Sequence, residues 1–212
     1  MTRGIFISFE GIEGTGKTTQ VVLIKEYLEK KRHTVIISKE PGGTAISERI
    51  REILLSTEHK EMDSLTELFL YFASRRQHIK ELIVPSLEAG KIVITDRFSD
   101  STKAYQGYAR GIDVGFIDTL NKAVTGGLMP DLTVLLDTDV ETGLKRNMGI
   151  NKLDRLELED IEFHKRVREG YLLLAKKEPN RIKVVDAGLT VEKIHDRVVE
   201  IVEKYLMRGQ SR

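Results

Sequence analysis

Short apolar runs rich in β-branched residues recur along the chain and alternate with amphipathic segments. Each run is continuously hydrophobic, which is typical of strands buried on both faces of a sheet. We predict five such strands, at residues 4–9, 34–38, 92–95, 132–136 and 182–185. Helical periodicity of the apolar positions predicts helices at residues 18–31, 46–55, 65–82, 114–124, 140–147, 159–176 and 191–206.

Strands that alternate with helices predict βαβ units, in which helices cover both faces of a parallel sheet. The length of 212 residues suits one domain, and no repeat, low-complexity tract or linker divides the chain. We therefore expect an α/β fold of three layers, with a five-stranded parallel sheet flanked by helices and residues 1–212 as one domain. Ligands of such sheets bind beyond the carboxyl ends of the strands.

Composition and charge limit the kinds of molecule that this protein is expected to bind. The chain has 34 basic and 33 acidic residues, so its net charge of +1 leaves no electrostatic footprint for nucleic acid. It has no cysteine, which excludes disulfides and thiolate metal sites and is compatible with a cytosolic enzyme. The apolar run at the amino terminus is too short for a signal peptide, and none approaches the ~20 residues of a membrane span. We expect a soluble cytoplasmic protein that binds neither nucleic acid nor membranes.

The segment FEGIEGTGKTTQ, residues 9–20, contains a phosphate-binding loop. Gly11, Gly16, Lys17 and Thr18 match the spacing G-x-x-x-x-G-K-[ST] after a predicted strand and before a predicted helix. Glycines let successive backbone N–H groups surround an anion, Lys17 can reach the terminal phosphates, and the Thr18 hydroxyl can ligate Mg²⁺. The segment predicts a P-loop NTPase fold, with a nucleoside triphosphate bound by Gly11, Ile12, Glu13, Gly14, Thr15, Gly16, Lys17, Thr18 and Thr19.

A GTPase is the first alternative, because NKLD at residues 151–154 matches the guanine-binding N-K-x-D pattern. In a GTPase that motif follows a buried strand, but here the preceding GLKRNMGI predicts a helix end and a loop. No aspartate in the chain begins the D-x-x-G element that senses the terminal phosphate. The sequence therefore argues against a GTPase.

Four further clusters predict a second anion site. They are KEPGGT at residues 39–44, Tyr71 with Arg75 one helical turn apart, TDRFSDSTKAYQG at residues 95–107, and the basic residues of 145–155. Each has an ordinary explanation as core, loop or solvated surface. Because several follow strand ends, they converge on the edge that holds the phosphate loop. Together they favour a second ligand that is planar and anionic.

The motifs FEGIEGTGKTTQ, EPGGT, FASRRQ, DRFSDSTKAYQG and PDLTVLLD resemble the thymidylate kinase family of the bacterial type. The resemblance runs through nearly the whole chain and implies phosphorylation of dTMP to dTDP by Mg-ATP, a lid at approximately 145–156 and a homodimer. Deoxynucleoside kinases share the Asp–Arg pair and are one alternative. A nucleotide-gated P-loop module without phosphoryl transfer is another.

The resemblance also implies roles for individual residues. Glu13 would face the deoxyribose 3′-hydroxyl, Tyr71 would stack on thymine, and Arg75 would hydrogen-bond a base carbonyl. The acceptor side would further include Glu40 of the EPGG motif, Arg51 and Arg97 near the acceptor phosphate, and Thr102 and Gln106 closing the base pocket. On the donor side, Arg146 would lie against the adenine.

One departure from the family concerns the lid. Members without an arginine in the phosphate loop often carry lid arginines, at positions that here hold Met148 and Ile150. Lys152 or Arg155 is therefore left to bring positive charge to the transferred phosphoryl group. We predict Lys17, Arg97, Arg155 and Lys152 as the catalytic residues.

A monophosphate acceptor needs no general base, because its second ionisation lies near pH ~6 and its oxygen is already a nucleophile. The obstacle is repulsion between two anions, so the site should be rich in cations. Asp96 is accordingly predicted to be an indirect Mg²⁺ ligand, acting through water, with Thr18 as the other metal residue.

Overall fold

The computed structural model describes residues 3–147 and 154–210. The five strands are Phe6–Glu10 (β1), Val35–Lys39 (β2), Ile92–Asp96 (β3), Leu132–Asp137 (β4) and Ile182–Asp186 (β5). They form one sheet in the order β2-β3-β1-β4-β5, and every paired strand is parallel. This confirms the predicted α/β fold.

Nine α-helices and two π-helical segments occur in the described residues. The α-helices are Lys17–Lys30 (α1), Ala45–Leu55 (α2), Ser64–His78 (α3), Val84–Glu88 (α4), Ser99–Thr102 (α5), Val114–Thr125 (α6), Val140–Asn147 (α7), Ile161–Lys177 (α8) and Val191–Gln210 (α9). The π-helical segments are Ile79–Ile83 and Lys103–Ala109. None of the helices in residues 3–147 and 154–210 is long and apolar enough to cross a membrane.

Side chains alternate across the sheet, so each face builds its own core. Ile7 and Phe9 of β1 pack in one cluster with α1 and α9, including Ile24 and Val198. Phe6 faces the opposite side, where it meets the segment from Ile79 onward. The predicted three layers follow from this division.

Burial on both faces was predicted for all five strands, and it is wrong for the two at the edges. β2 and β5 each contain exposed and half-buried positions, with Ile37 38% and Val184 48% exposed. The reason is their place in the sheet order, which leaves part of one face uncovered. β1 and β4 hold mainly buried side chains, as the pattern indicated.

The helices differ from the prediction in two places. The helix predicted to end at residue 82 continues through a π-helical turn into α4, where Pro85 occupies the first turn. The helical stretch from α5 to residue 109 was not predicted. Its inward face carries Ser99, Asp100, Thr102 and Gln106, so an apolar period of 3.6 is absent.

Candidate active site

The carboxyl ends of β1, β2 and β3 open into one cleft with a volume of about 1280 Å³. The structure brings most predicted site residues to its walls: Glu13, Gly14, Thr15, Gly16, Lys17, Thr18, Thr19, Glu40, Arg51, Tyr71, Arg75, Asp96, Arg97, Thr102, Gln106 and Arg146. Gly11 and Ile12 belong to the same loop as Gly14. The expected convergence of the motifs on one sheet edge is thus what the fold produces.

The phosphate loop depends on glycine at positions that side chains rarely tolerate. Gly11, Gly14 and Gly16 have φ angles of 138°, 70° and 84°. A Cβ atom at Gly14 would also collide with the carbonyl oxygen of Gly143 in α7. The loop ends at Gly16, directly before the first residue of α1, so the positive end of that helix faces the cleft.

Lys17 lies at the start of α1 with its charge buried. Its Nζ donates a 2.8 Å hydrogen bond to the carbonyl oxygen of Ile12, within the loop itself. Burial and the positive charge of Arg97 together lower the pKa of Lys17 to about 8, against the opposing effect of Asp96. The ammonium group is therefore held in place beneath the loop before any ligand arrives.

Thr18 and Asp96 meet across the cleft floor. The Thr18 hydroxyl donates to Asp96 Oδ2 over 2.8 Å, joining α1 to the end of β3. Two hard oxygen donors beside a phosphate loop suit Mg²⁺, which commonly takes one or two protein oxygens and completes its shell with water and phosphate. No group of three or more His, Cys, Asp or Glu side chains able to hold a metal occurs in residues 3–147 and 154–210. The pair fits a magnesium ion that arrives with the nucleotide.

Arg97 follows Asp96 in a strained backbone conformation, with φ of 71°. A non-glycine residue in this region costs on the order of 1–3 kcal/mol and persists only where its surroundings hold it. Its Nη1 donates to the Gly11 carbonyl over 2.9 Å, and its Nη2 donates to Glu13 over 2.9 Å. The guanidinium carbon lies 5.0 Å from the ring centre of Tyr105. Arg97 is thereby fixed against the phosphate loop.

Glu13 is the anion that balances this cation. Burial would raise the pKa of Glu13, but the neighbouring Arg97 and Lys17 charges outweigh burial and hold the pKa well below its ordinary value. Tyr105 donates its hydroxyl to the same Oε1 that accepts from Arg97. On the other side, His164 Nδ1 lies 3.4 Å from Glu13 Oε2. Glu13 therefore stays ionised throughout the neutral range.

Arg75 forms the floor of a second pocket and is only 1% exposed. Its Nε donates to Glu40 Oε2 over 2.8 Å, and its Nη2 donates to the Thr102 hydroxyl over 2.8 Å. The guanidinium also stacks near Phe98, 5.0 Å from the ring centre. His78 approaches the other oxygen of Glu40 at 3.0 Å. The arginine predicted to contact a base is therefore held rigidly by buried partners.

The other predicted acceptor residues surround this pocket. Tyr71 lies on α3 and lines the cleft half-buried. Gln106 donates its amide to Glu67 over 2.8 Å, and Arg51 donates to the carbonyl oxygen of Pro41 over 2.8 Å. An aromatic ring, an amide and two guanidinium groups thus share one wall.

The predicted lid residues divide into three cases. Arg155 is 5% exposed, and its guanidinium donates to Glu67 and to the Leu54 carbonyl, so the structure does not bring it into the cleft. Lys152 lies outside the described residues, as does half of the predicted lid, residues 148–153. Arg146 donates to the Ala187 carbonyl over 2.7 Å and does line the cleft.

Several residues at the site were missed from the sequence. They are Glu10, Ser101, Tyr105, His164 and Tyr171, all in contact with Arg97 or with one of its partners. Tyr105 lies inside the AYQG motif and could have been noticed there. Tyr171 and His164 lie on α8, where an ordinary amphipathic pattern gives no indication of a site.

Comparison with known proteins agrees with this geometry. The family model for thymidylate kinase matches residues 9–198. The thymidylate kinase of Kosmotoga olearia is 50% identical over 196 residues, covering 92% of this chain and 94% of that protein. The thymidylate kinase of Caldanaerobacter subterraneus is 50% identical over 204 residues, covering 96% and 97%.

A solved structure gives the same result in three dimensions. The crystal structure of thymidylate kinase from Ehrlichia chaffeensis superimposes with a TM-score of 0.77 at 40% identity, covering 94% of this chain and 99% of that one. The matches span the phosphate loop, the Asp96–Arg97 turn and the Arg75 pocket together. The family model and the relatives match the chain over almost its full length. The chain therefore belongs to the thymidylate kinase family.

Proposed function

We propose that this protein phosphorylates dTMP to dTDP with Mg-ATP, a step in dTTP synthesis. The observation that carries the proposal is that the phosphate loop and the Arg75 pocket line the same cleft. Such a cleft accommodates a triphosphate donor and a planar, anionic acceptor at the same time. Asp96 and Arg97 lie between the two ends, where the phosphoryl group must pass.

The donor end is built from the phosphate loop and its flanks. Backbone N–H groups from Gly11 to Thr19 would surround the donor phosphates, and Lys17 would neutralise their charge. Arg146 would lie against the adenine, next to Leu189 and Thr190 on the same wall. Amides, a cation and a flat arginine side chain are the groups that an adenine nucleotide requires.

The acceptor end would hold dTMP by its phosphate and its base. Arg97 and Arg51 would bind the phosphate, and Glu13 would face the 3′-hydroxyl. Thymine would stack on Tyr71, within a pocket closed by Arg75, Thr102 and Gln106 and supported by Glu40. The ion pair of Arg75 with Glu40 is buried, so its orientation is set before the base arrives.

The chemistry follows from charge. An ionised phosphate oxygen of dTMP attacks the γ-phosphorus of ATP, and the bond to the ADP oxygen breaks. No base has to remove a proton, and Asp96 already accepts the Thr18 hydroxyl. Lys17 and Arg97 supply fixed positive charge, and Lys152 or Arg155 would add to it from the lid. For Arg155 this requires its ion pair with Glu67 to open.

The coupled assay that tests this function uses ATP, magnesium and a panel of acceptors. We expect rapid ADP formation with dTMP and much slower formation with dCMP or AMP, and the rate with dUMP measures the effect of the missing methyl group. Phosphorylation of thymidine but not dTMP would instead indicate a deoxynucleoside kinase. No transfer to any acceptor would indicate a nucleotide-gated module.

Magnesium is proposed as the metal, held by Thr18 directly and by Asp96 through water. Held there, it would supply positive charge that neutralises the donor phosphates during transfer. We expect chelation by EDTA to lower turnover at least ~100-fold, with full recovery on adding excess Mg²⁺. Asp96→Asn should raise the Mg²⁺ concentration needed for half-maximal turnover. Undiminished activity in EDTA would contradict the assignment.

Thymine selectivity is expected to depend on Arg75. Arg75→Ala alone would leave the buried Glu40 with His78 but without its guanidinium partner, and breaking a buried ion pair in this way costs about 3–5 kcal/mol of stability. The informative variant is therefore Arg75→Ala with Glu40→Gln, compared with Glu40→Gln alone. We expect the ratio of kcat/KM for dTMP to that for dCMP to fall on the order of 10-fold or more. An unchanged ratio would remove Arg75 from base recognition.

A homodimer is also proposed, in agreement with the family resemblance. Leu65 and Phe69 on α3 and Phe116 on α6, which packs against α3, are 46%, 52% and 42% exposed, and burying such apolar side chains favours association. We expect Phe69→Asp to shift the protein from dimer to monomer in light scattering after gel filtration. Leu173→Asp, at a similarly exposed site on α8, is the matched control and should leave the dimer intact.

We also propose that the protein works in the cytoplasm, where the donor and acceptor nucleotides are found. The absence of cysteine is compatible with a reducing compartment. Cell fractionation followed by the dTMP assay would test this location.

A further inference from the structure

Glu10 is a buried carboxylate at the end of β1 that the proposed chemistry does not use. Its Oε1 accepts a 2.8 Å hydrogen bond from the backbone N–H of Phe98. Its Oε2 accepts from the Ser101 hydroxyl over 2.6 Å and from the Tyr171 hydroxyl over 3.0 Å. All three donors belong to, or touch, the turn that carries Arg97. Burial and the nearby Asp100 raise the pKa of Glu10 to about 7.

Tyr171 links this carboxylate to the arginine. Its hydroxyl oxygen lies 3.0 Å from Arg97 Nη1 and 2.7 Å from Ser101 Oγ, as well as within reach of Glu10. Arginine can only donate, so the tyrosine oxygen accepts from Arg97 and its own proton points to Glu10. The Tyr171 hydroxyl thus bridges Glu10 and the guanidinium of Arg97, and the Ser101 hydroxyl, 3.4 Å from Arg97 Nη1, is a second bridge between them.

The backbone of Arg97 needs such support. At φ of 71° the residue is strained, and its own N–H donates to the Phe9 carbonyl over 2.9 Å. Glu10 fixes the next N–H, at Phe98, so consecutive peptide groups are anchored to the end of β1. The backbone and the guanidinium of Arg97 are therefore both held by the same buried cluster.

We propose that Glu10 and Tyr171 are positioning residues that hold Arg97 in the orientation that binds the acceptor phosphate. Glu10 fixes the turn, and Tyr171 fixes the guanidinium. The inference rests on the proposed function, because it takes the acceptor to be a nucleoside monophosphate. It places part of the acceptor specificity on α8, a helix that carries none of the sequence motifs.

A purely structural role would look different. The Tyr171 ring is 2% exposed and packs edge-on against Tyr105, with ring centres 6.3 Å apart. Tyr171→Phe retains this ring and removes only the hydroxyl. If the cluster merely filled the core, the variant would weaken all ligands equally or none. If it positions Arg97, the variant should lose affinity for ligands that carry the acceptor phosphate and not for those that lack it.

Calorimetric binding of dTMP and of thymidine separates these cases. For Tyr171→Phe we expect the dTMP Kd to rise roughly 5- to 10-fold, the effect of losing about one ordinary hydrogen bond, because Tyr171 acts on the phosphate only through Arg97. The thymidine Kd and the ATP Kd should change less than about twofold. Tyr108→Phe is the matched control, because the Tyr108 hydroxyl accepts from Lys177, outside the cluster. For Tyr108→Phe, the ratio of the dTMP Kd to the thymidine Kd should equal that of the unmodified protein.

Two further variants complete the test. Ser101→Ala removes one donor to Glu10. Like Tyr171→Phe, it should raise the ratio of the dTMP Kd to the thymidine Kd. On an Arg97→Ala background, Tyr171→Phe should have no further effect on the dTMP Kd.

If Tyr171→Phe weakened the binding of dTMP and thymidine equally, the positioning role would be overturned. The same holds if its effect on the dTMP Kd were fully additive with that of Arg97→Ala. Failure of the unmodified protein to bind or phosphorylate dTMP would instead refute the proposed function on which it rests.

Discussion

Replacing Lys17 with alanine is expected to lower kcat by on the order of 100-fold or more. The Lys17 ammonium is buried beneath the phosphate loop, and its hydrogen bond to the Ile12 carbonyl keeps it oriented. A preorganised cation acts where negative charge develops and needs little reorganisation during the reaction, which is why its loss is costly. Steady-state kinetics with saturating ATP and dTMP measures the effect.

The control for Lys17 is Lys25→Ala on the same helix. Lys25 is half-exposed and pairs with Glu29 over 3.8 Å, a contact that contributes little to stability. Its removal should leave kcat unchanged. Near-normal turnover in Lys17→Ala, with the fold intact by circular dichroism, would exclude the proposed role of the phosphate loop.

Replacing Arg97 with alanine is expected to damage the use of dTMP far more than the binding of ATP. We expect kcat/KM for dTMP to fall on the order of 100-fold, because the acceptor phosphate would lose a fixed guanidinium. The ATP Kd should rise less than about threefold, since Lys17 and the backbone of the loop remain. Parallel measurements of dTMP kinetics and ATP binding distinguish the two effects.

Arg97→Ala also leaves Glu13 with one partner fewer, so stability must be followed as well. The control variant is Arg49→Ala, because Arg49 is exposed and pairs with Glu52. It should change neither kcat/KM for dTMP nor the ATP Kd. If ATP binding collapsed while dTMP kinetics were spared, Arg97 would belong to the donor side.

Some site contacts were predictable because they depend on local sequence. The phosphate loop needs three glycines, a lysine and a threonine within residues 11–18, and no distant partner is required to place them. The position of Asp96 and Arg97 at a strand end followed equally from the hydrophobic run before them. Parallel strands then bring such loops to one edge by topology alone.

Other features depend on contacts between distant segments. Arg155 was predicted to act in catalysis from its place in a basic loop, but the fold sets its guanidinium against Glu67, 88 positions away. The helical stretch after Ser99 was missed because its buried face is polar, and those polar groups are satisfied only by other elements. Arg181, for instance, bonds Asp100 from 81 positions away.

The sequence by itself therefore determined the order of strands and helices, the phosphate loop and the family resemblance. These depend on hydrophobic periodicity and on short motifs, which neighbouring residues encode. The tertiary structure alone decided which polar groups surround Arg97, including Glu10 from β1 and Tyr171 from α8. Their hydrogen bonds join residues up to 161 positions apart, and no local pattern records a contact that forms only when the chain closes on itself.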